Sequence, residues 1–202
     1  AKVIKDLEVG VLINNVGVSY RYARYWHELS EEEIQGLITM NIDSTLWMTK
    51  MVLPGMLERK SGAIVNLSSG SALYTMPGLA QYAGAKGFVE KFSRGINAEY
   101  RSKGVTCQCQ VPFYVATKLA KLRKSLITPT PTEWVSLAVV WVGHGSDAVA
   151  QPFIMHAFQG WLMNVLPEFL VTKMTMSQHM SIRKRGMKKD ARLAAEATAK
   201  KE

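Results

Sequence analysis

Residues 63–86 restrict the fold more than any other stretch. The run Ala63-Ile64-Val65-Asn66-Leu67 has the length and apolar character of a strand and ends at Ser68-Ser69. A loop marked by Gly70, Pro77 and Gly78 follows, and then a helical stretch that carries Tyr82 and Lys86. A short apolar run bounded by turn residues fits a strand buried on both faces of a parallel sheet. Positions i and i+4 of a helix lie one above the other, so Tyr82 and Lys86 share a face. A phenol titrates near pH 10, and a neighbouring ammonium lowers that value by favouring the phenolate. The loop is long enough to bring the Ser69 hydroxyl alongside. Hydroxyl, phenol and ammonium together suit protonation of a carbonyl oxygen while hydride arrives from elsewhere. Tyr-x-x-x-Lys alone more commonly marks a solvated pair. What sets this one apart is the order of strand, Ser-Ser, loop and Tyr/Lys helix.

The same grammar recurs along the chain. Residues 9–16, VGVLINNV, form a second apolar run that ends in Asn-Asn-x-Gly. Residues 19–26 follow as an aromatic loop, either surface packing or one wall of an apolar pocket. Ser30 and Glu33 make a capping box that opens a helix. The helix is expected to continue through Ile34, Leu37, Ile38 and Asn41 to about Arg59, with a kink at Pro54 and its end at Gly62. The Tyr/Lys helix should run from about Leu79 to Ser102, broken by Gly104. Residues 105–111 give the third strand, stopped by Pro112. Residues 117–131 are a long polar and basic connection of the kind that forms lids. Residues 134–142 read as a helix. Residues 153–176 are apolar but interrupted by Pro167 and Glu168, and residues 151–176 suit a place on a membrane or at a subunit interface. No run reaches the ~18 apolar residues of a membrane span. Three strand–helix alternations imply an α/β fold, a doubly wound parallel sheet with ligands at the carboxyl ends of its strands. Asn15, Ser69 and Pro112 all fall where a strand gives way to a loop.

At 202 residues the chain has room for one domain with a substantial core. Its net charge of +9 is uneven: residues 181–202 hold eight lysines and arginines against three carboxylates. Such a segment meets nucleic acid, anionic lipid or water. No nucleic-acid fold signature accompanies it, so no nucleic-acid partner is expected. Cys107 and Cys109 lie two apart on a strand and point to one face, so bridging them would distort it. Two thiols cannot close a zinc site, and no metal is expected. Buried reduced thiols suit a cytosol-facing protein.

Several features resemble the short-chain dehydrogenase/reductase family: Asn14-Asn15-Val16-Gly17, Asn41, Asn66-Leu67-Ser68-Ser69, Tyr82-x-x-x-Lys86 and residues 111–117, all in the family's order. The resemblance implies a Rossmann-like sheet and an oxidoreductase. It makes Tyr82 the proton donor to the substrate carbonyl. Lys86 would lower the Tyr82 pKa and hold the nicotinamide ribose, and Ser69 would orient the carbonyl. Asn41, by itself more often a helix-bend or capping residue, matches the asparagine that supports a relay water behind the lysine. Asn15, Val16 and Gly17 are implied to contact the cofactor, and Pro112, Val115 and Thr117 to pack on the nicotinamide and hold its carboxamide.

The family usually begins the last segment with Pro-Gly, where this chain has Pro112-Phe113. That departure, with residues 14–20, 53–56, 98–105 and 115–120, is similar to a subgroup. Its members are the microsomal 3-oxoacyl-CoA reductases of very-long-chain fatty acid elongation and the related 17β-hydroxysteroid dehydrogenases. The likeness implies NADPH as cofactor, an acyl-CoA or steroid substrate, a possible homodimer and the cytosolic face of the endoplasmic reticulum membrane. Residues 199–202 imperfectly match a lysine-based retention signal.

No glycine-rich turn able to present backbone N–H groups to pyrophosphate stands before Val11. The chain therefore looks like the C-terminal two-thirds of the reductase domain (1–176) followed by a basic tail (177–202), with the first three strands absent. A non-catalytic fragment or interaction module is the alternative. On this reading the strand at 9–16 keeps a bare apolar edge, and two sheet faces lose cover, an aggregation hazard.

Overall fold

The computed structural model describes residues 7–117, 122–145 and 147–199. Four parallel strands form one sheet in the order β1 (Val11–Asn14), β2 (Gly62–Leu67), β3 (Val105–Gln110) and β4 (Val149–Ala150). The fourth strand lacks an apolar run and was not foreseen; it pairs Val149 with Cys109 and Ala150 with Gln110. Leu12, Ile64 and Cys107 are in register on one face. There they pack with Val52 and Met56 of α2 (Ser44–Arg59) and with Ile96 and Tyr100 of α3 (Ala80–Tyr100). On the opposite face, α4 (Pro131–Val140) is tied to β3 by two buried glutamines. Gln110 Nε2 donates to the Ala138 carbonyl, and Gln108 Nε2 to the Trp141 carbonyl beyond the helix.

The sheet is better covered than expected. Helices α2 and α3 keep one face dry at Leu12 and Asn14, while on the other face Val11 and Ile13 are more than half exposed. The alternation follows from the two-residue period of a strand.

Ser30 caps α1 (Glu31–Ile38) through the reciprocal bonds with Glu33. The helix then passes through a π turn at Thr39–Asp43 before continuing as α2. The irregularity thus falls at Asn41 rather than at Pro54, which α2 accommodates. Lys60, in the left-handed conformation, ends α2 where Gly62 was expected to; Gly62 already belongs to β2. Helix α4 starts three residues earlier than expected because Thr130 and Glu133 form another capping box with Pro131 in the first turn.

Residues 153–176 divide into α5 (Ile154–Val165) and the start of α6 (Glu168–Ala199), separated at Leu166-Pro167. Helix α6 crosses the expected 176/177 boundary without a break, so the basic segment is helical through Ala199. It also lies against the body. Arg183 makes a two-pronged ion pair with Glu28 at 2.5 and 2.6 Å, and Arg21 pairs with Asp190 at 2.5 Å. His179 Nδ1 donates to the Pro77 carbonyl at 2.7 Å. Lys200 to Glu202, which hold the retention-like signal, lie outside the described residues, as do Lys118 to Lys121 of the expected lid. Among the described residues no helix is long and apolar enough to cross a membrane.

The half-exposed apolar pair on β1 generates a test. Changing both Val11 and Ile13 to Lys should lower aggregation, measured by light scattering, with little change in melting temperature. Substitutions at exposed sites usually stay within about 0.5 kcal/mol.

Candidate active site

Two hydrogen bonds stitch α3 to the end of β2. Ser68 Oγ donates to the Lys86 carbonyl at 2.7 Å, and Lys86 Nζ donates to the Leu67 carbonyl at 2.9 Å. Tyr82, one turn earlier on α3, is thereby held over the loop that leaves β2. There the Ser69 hydroxyl lies near enough to the Tyr82 phenol to favour its ionised form. Ser69 itself is oriented by accepting the Ser71 N–H at 3.2 Å.

Lys86 is 6% exposed, and its Nζ lies 5.9 Å from the centre of the Tyr82 ring. Burial brings its pKa down to about 8, with the Cys109 thiol acting weakly in the opposite direction. The Tyr82 pKa is raised, not lowered as the sequence suggested. Desolvation is the largest cause; the nearby Ser69 hydroxyl opposes it, and the Tyr114 phenol reinforces it. The physical reason is that the amine sits against the ring and is engaged by Leu67, while the phenol oxygen has lost water. The phenol is accordingly a protonated donor at neutral pH.

Gly17 leaves a cradle behind Lys86. A Cβ at this position would stand 2.7 Å from Asn41 Oδ1 and 3.2 Å from Lys86 Nζ. Asn41 Nδ2 donates to the Val18 and Leu37 carbonyls at 3.0 Å each, whereas its buried Oδ1 has no partner among the described residues. An unpaired acceptor beside a buried amine suits a small hydroxylic guest such as water or a ribose hydroxyl. The residues present therefore fit the ribose end of a nicotinamide cofactor. Val16 is exposed at the end of β1 with Asn15. Pro112 accepts the Gly70 N–H at 2.8 Å, which joins the segment after β3 to the Ser69 loop. Val115 accepts the Thr117 N–H at 2.7 Å, and the neighbouring Ala116 N–H bonds the Pro129 carbonyl. Ser69, Tyr82, Lys86, Asn41 and Gly17 are thus assembled directly; Asn15, Val16, Pro112, Val115 and Thr117 line the same carboxyl-end side of the sheet.

Some supporting residues escaped the sequence reading. Asn14, rather than Asn15, enters the sheet: its Nδ2 bonds Asn66 Oδ1 at 2.8 Å and Thr49 Oγ1 at 3.3 Å, and Asn66 in turn bonds Ser93 at 2.9 Å. Cys107 and Cys109 are free and buried beneath this network, their pKa values pushed up by burial to about 12 and about 11. Helix α3 has Leu79 at its N-cap and no side-chain cap of its own. The Tyr20 phenol, brought in by the aromatic loop, accepts the N–H of Gln81 at 3.2 Å. That second helical N–H is one a local cap would take. The aromatic loop is therefore divided. Tyr20 supports the site, Tyr25 lies under Arg183, and Trp26 is 60% exposed. A cavity of about 520 Å³ lined by Leu57, Lys60, Ser102, Lys103 and Gly104 is at the opposite end of β2 and β3 and contains none of these groups.

Comparison with known proteins identifies the family. The family model described as short chain dehydrogenase matches residues 2–126. The chain belongs to the short-chain dehydrogenase family. It is 43% identical over 189 residues to the very-long-chain 3-oxoacyl-CoA reductase of Anas platyrhynchos, and 42% identical to that of Homo sapiens. Each alignment covers 92% of this chain and 60% of the relative. The chain thus spans about three-fifths of the length of these relatives. Among solved structures, the closed form of serine dehydrogenase complexed with NADP+ superposes with a TM-score of 0.65 at 25% identity, covering 74% of this chain and 68% of that one.

Two substitutions test the supports. Tyr20→Phe removes the borrowed cap and should cost about 1 kcal/mol in thermal or denaturant melts. Lys86→Met removes a buried charge whose pKa falls from 10.5 to about 8. That shift corresponds to roughly 3 kcal/mol of destabilisation below pH 8, offset by about 1 kcal/mol from the hydrogen bond to Leu67. Because the folded lysine releases its proton before the unfolded one, the penalty shrinks as pH rises from about 8 and is gone above about 10.5. The variant should be more stable at pH 7, with the gap closing by pH 10.5 in melts across that range.

Proposed function

We propose that this chain carries the proton-donating half of a reductase that converts a 3-oxoacyl-CoA to the 3-hydroxyacyl-CoA in fatty acid elongation, with NADPH as reductant. The observation that carries the reading is the meeting of the Tyr82 phenol, the nearby Ser69 hydroxyl and buried Lys86, whose Nζ lies 5.9 Å from the Tyr82 ring, at the carboxyl ends of the strands. The names of the relatives at 43% and 42% identity point to the substrate class.

A bound nicotinamide supplies hydride to the carbonyl carbon. Ser69 donates a hydrogen bond to the carbonyl oxygen and fixes its place beside the Tyr82 phenol. Tyr82, kept protonated by burial, transfers its proton to that oxygen as the carbon–oxygen double bond becomes single. Lys86, cationic below about pH 8, stabilises the phenolate left behind and offers N–H groups to a ribose hydroxyl in the Gly17 cradle. Asn41 Oδ1 accepts the hydrogen bond of a water that returns a proton. Asn15, Val16, Pro112, Val115 and Thr117 would hold the nicotinamide end. The serine dehydrogenase with NADP+ supports the choice of phosphorylated cofactor.

The proposed location is the cytosolic face of the endoplasmic reticulum. Exposed Ile154, Phe158, Trp161, Val165 and Phe169 on α5 and early α6 give the protein an apolar side to rest on that membrane. Exposed Trp47 and Met51 on α2, with Phe88 on α3, suit a second copy as partner.

Turnover of a long-chain 3-oxoacyl-CoA and of a 17-ketosteroid with NADPH tests the reading. Preference for the acyl-CoA is expected, and preference for the steroid would reassign the substrate. Tyr82→Phe should lower kcat by about 10²–10⁴-fold without weakening NADPH binding, and Ser69→Ala by a smaller factor. Turnover near wild type in Tyr82→Phe would remove the phenol as donor.

A further inference from the structure

His156, on α5, is completely buried, and both ring nitrogens are spent on the main chain that follows β3. The Phe113 N–H donates to Nδ1 at 3.2 Å, and Nε2 lies 3.2 Å from the Tyr114 carbonyl. An amide N–H can only donate and a carbonyl can only accept, so these contacts define a neutral imidazole with its proton on Nε2. Rings close the rest of the space. Phe153 meets His156 edge-on at 4.9 Å between centroids, and Phe113 lies tilted at 5.8 Å.

The pinned segment reaches the reacting groups by two routes. The Phe113 ring fills the place of a side chain at Gly70, where a Cβ would stand 2.8 Å from it, and Pro112 accepts the Gly70 N–H. Gly70 directly follows Ser69. The next residue, Tyr114, places its phenol near enough to Tyr82 to disfavour the phenolate. Tyr74 seals the same wall: its ring lies 6.3 Å from Phe113 and its hydroxyl donates to the Gly160 carbonyl of α5 at 2.7 Å.

We propose that His156 is a positioning residue. As the Nε2–H imidazole it locks the main chain of residues 113 and 114, so that Phe113 buttresses the Ser69 loop and Tyr114 stands beside Tyr82. The proposal extends the reductase reading, and only its kinetic consequence rests on that reading. Phe113 packs where a side chain on Gly70 would stand, and the paired bonds of His156 to residues 113 and 114 hold it there from behind.

The first arm of the test is the ring itself. Nitrogen-15 NMR of imidazole-labelled protein at pH 7 should show residue 156 as the Nε2–H tautomer alone. An Nδ1–H tautomer, a mixture or a cation overturns the proposal. This arm uses the unsubstituted protein and needs neither substrate nor a tolerated mutation. The second arm is kinetic, in the NADPH-loaded enzyme. His156→Phe, which can neither accept from residue 113 nor donate to residue 114, should lower kcat at least tenfold with the KM for NADPH within twofold. His156→Asn, which restores an acceptor at the Nδ1 position, should recover at least a third of the loss on a logarithmic scale. Wild-type kcat in a folded His156→Phe, or equal kcat in the Phe and Asn variants, overturns the positioning role. If unsubstituted protein reduces no 3-oxoacyl-CoA, the reductase reading fails while the tautomer result still judges His156.

Discussion

The site depends on the double stitch between β2 and α3. Ser68 holds the Lys86 carbonyl while Lys86 holds the Leu67 carbonyl, so neither strand end nor helix can slide without breaking both bonds. The stitch fixes the helix register, and the register decides that Tyr82 faces Ser69. An exposed lysine could not do this. Its ammonium would prefer water to a backbone carbonyl, and the bond would be worth little. Burial makes the bond obligatory, because an unpaired amine there would be costly.

The same burial shapes the proton chemistry. Both Tyr82 and Lys86 have lost water, and each is pushed toward its neutral form. The phenol therefore keeps its proton, and the amine titrates close to physiological pH. Beneath them, polar residues are handled differently: Asn14, Asn66, Thr49 and Ser93 satisfy one another across β1, α2, β2 and α3. Asn41 Oδ1 is an acceptor without a partner among the described residues, and it borders the cradle over Gly17. A protein interior rarely leaves such an atom alone, which makes it informative about what the cradle receives.

Helix α6 has a part that its charge conceals. Arg183 and Asp190 reach the aromatic loop, and His179 the loop between Ser69 and Tyr82. Thr75 on the latter loop also bonds Glu168 at 2.8 Å. Two segments that flank the site are thus tied to one rigid rod. The basic run acts as a brace because a few of its residues face inward along a helix.

Some of this was legible in the residues. The strand runs, the Ser30–Glu33 cap, and the spacing of Ser69, Tyr82 and Lys86 depend on local pattern, and local pattern is what a sequence displays. The long α3 and the shared face of Cys107 and Cys109 follow for the same reason. Other features depend on partners distant in the chain. Strand β4 is too short to announce itself and exists because β3 offers it a ladder. The cap on α3 comes from Tyr20, sixty-one residues away from Gln81. The tautomer of His156 is set by the backbone of residues 113 and 114. The direction of the Tyr82 shift was misjudged because an i,i+4 spacing gives proximity to an ammonium but not the loss of water around the phenol. Sequence alone thus determined which groups could meet, through the periods of helix and strand. Tertiary structure decided how dry they would be and which atoms each would face, because desolvation and long-range hydrogen bonds exist only once the chain has packed.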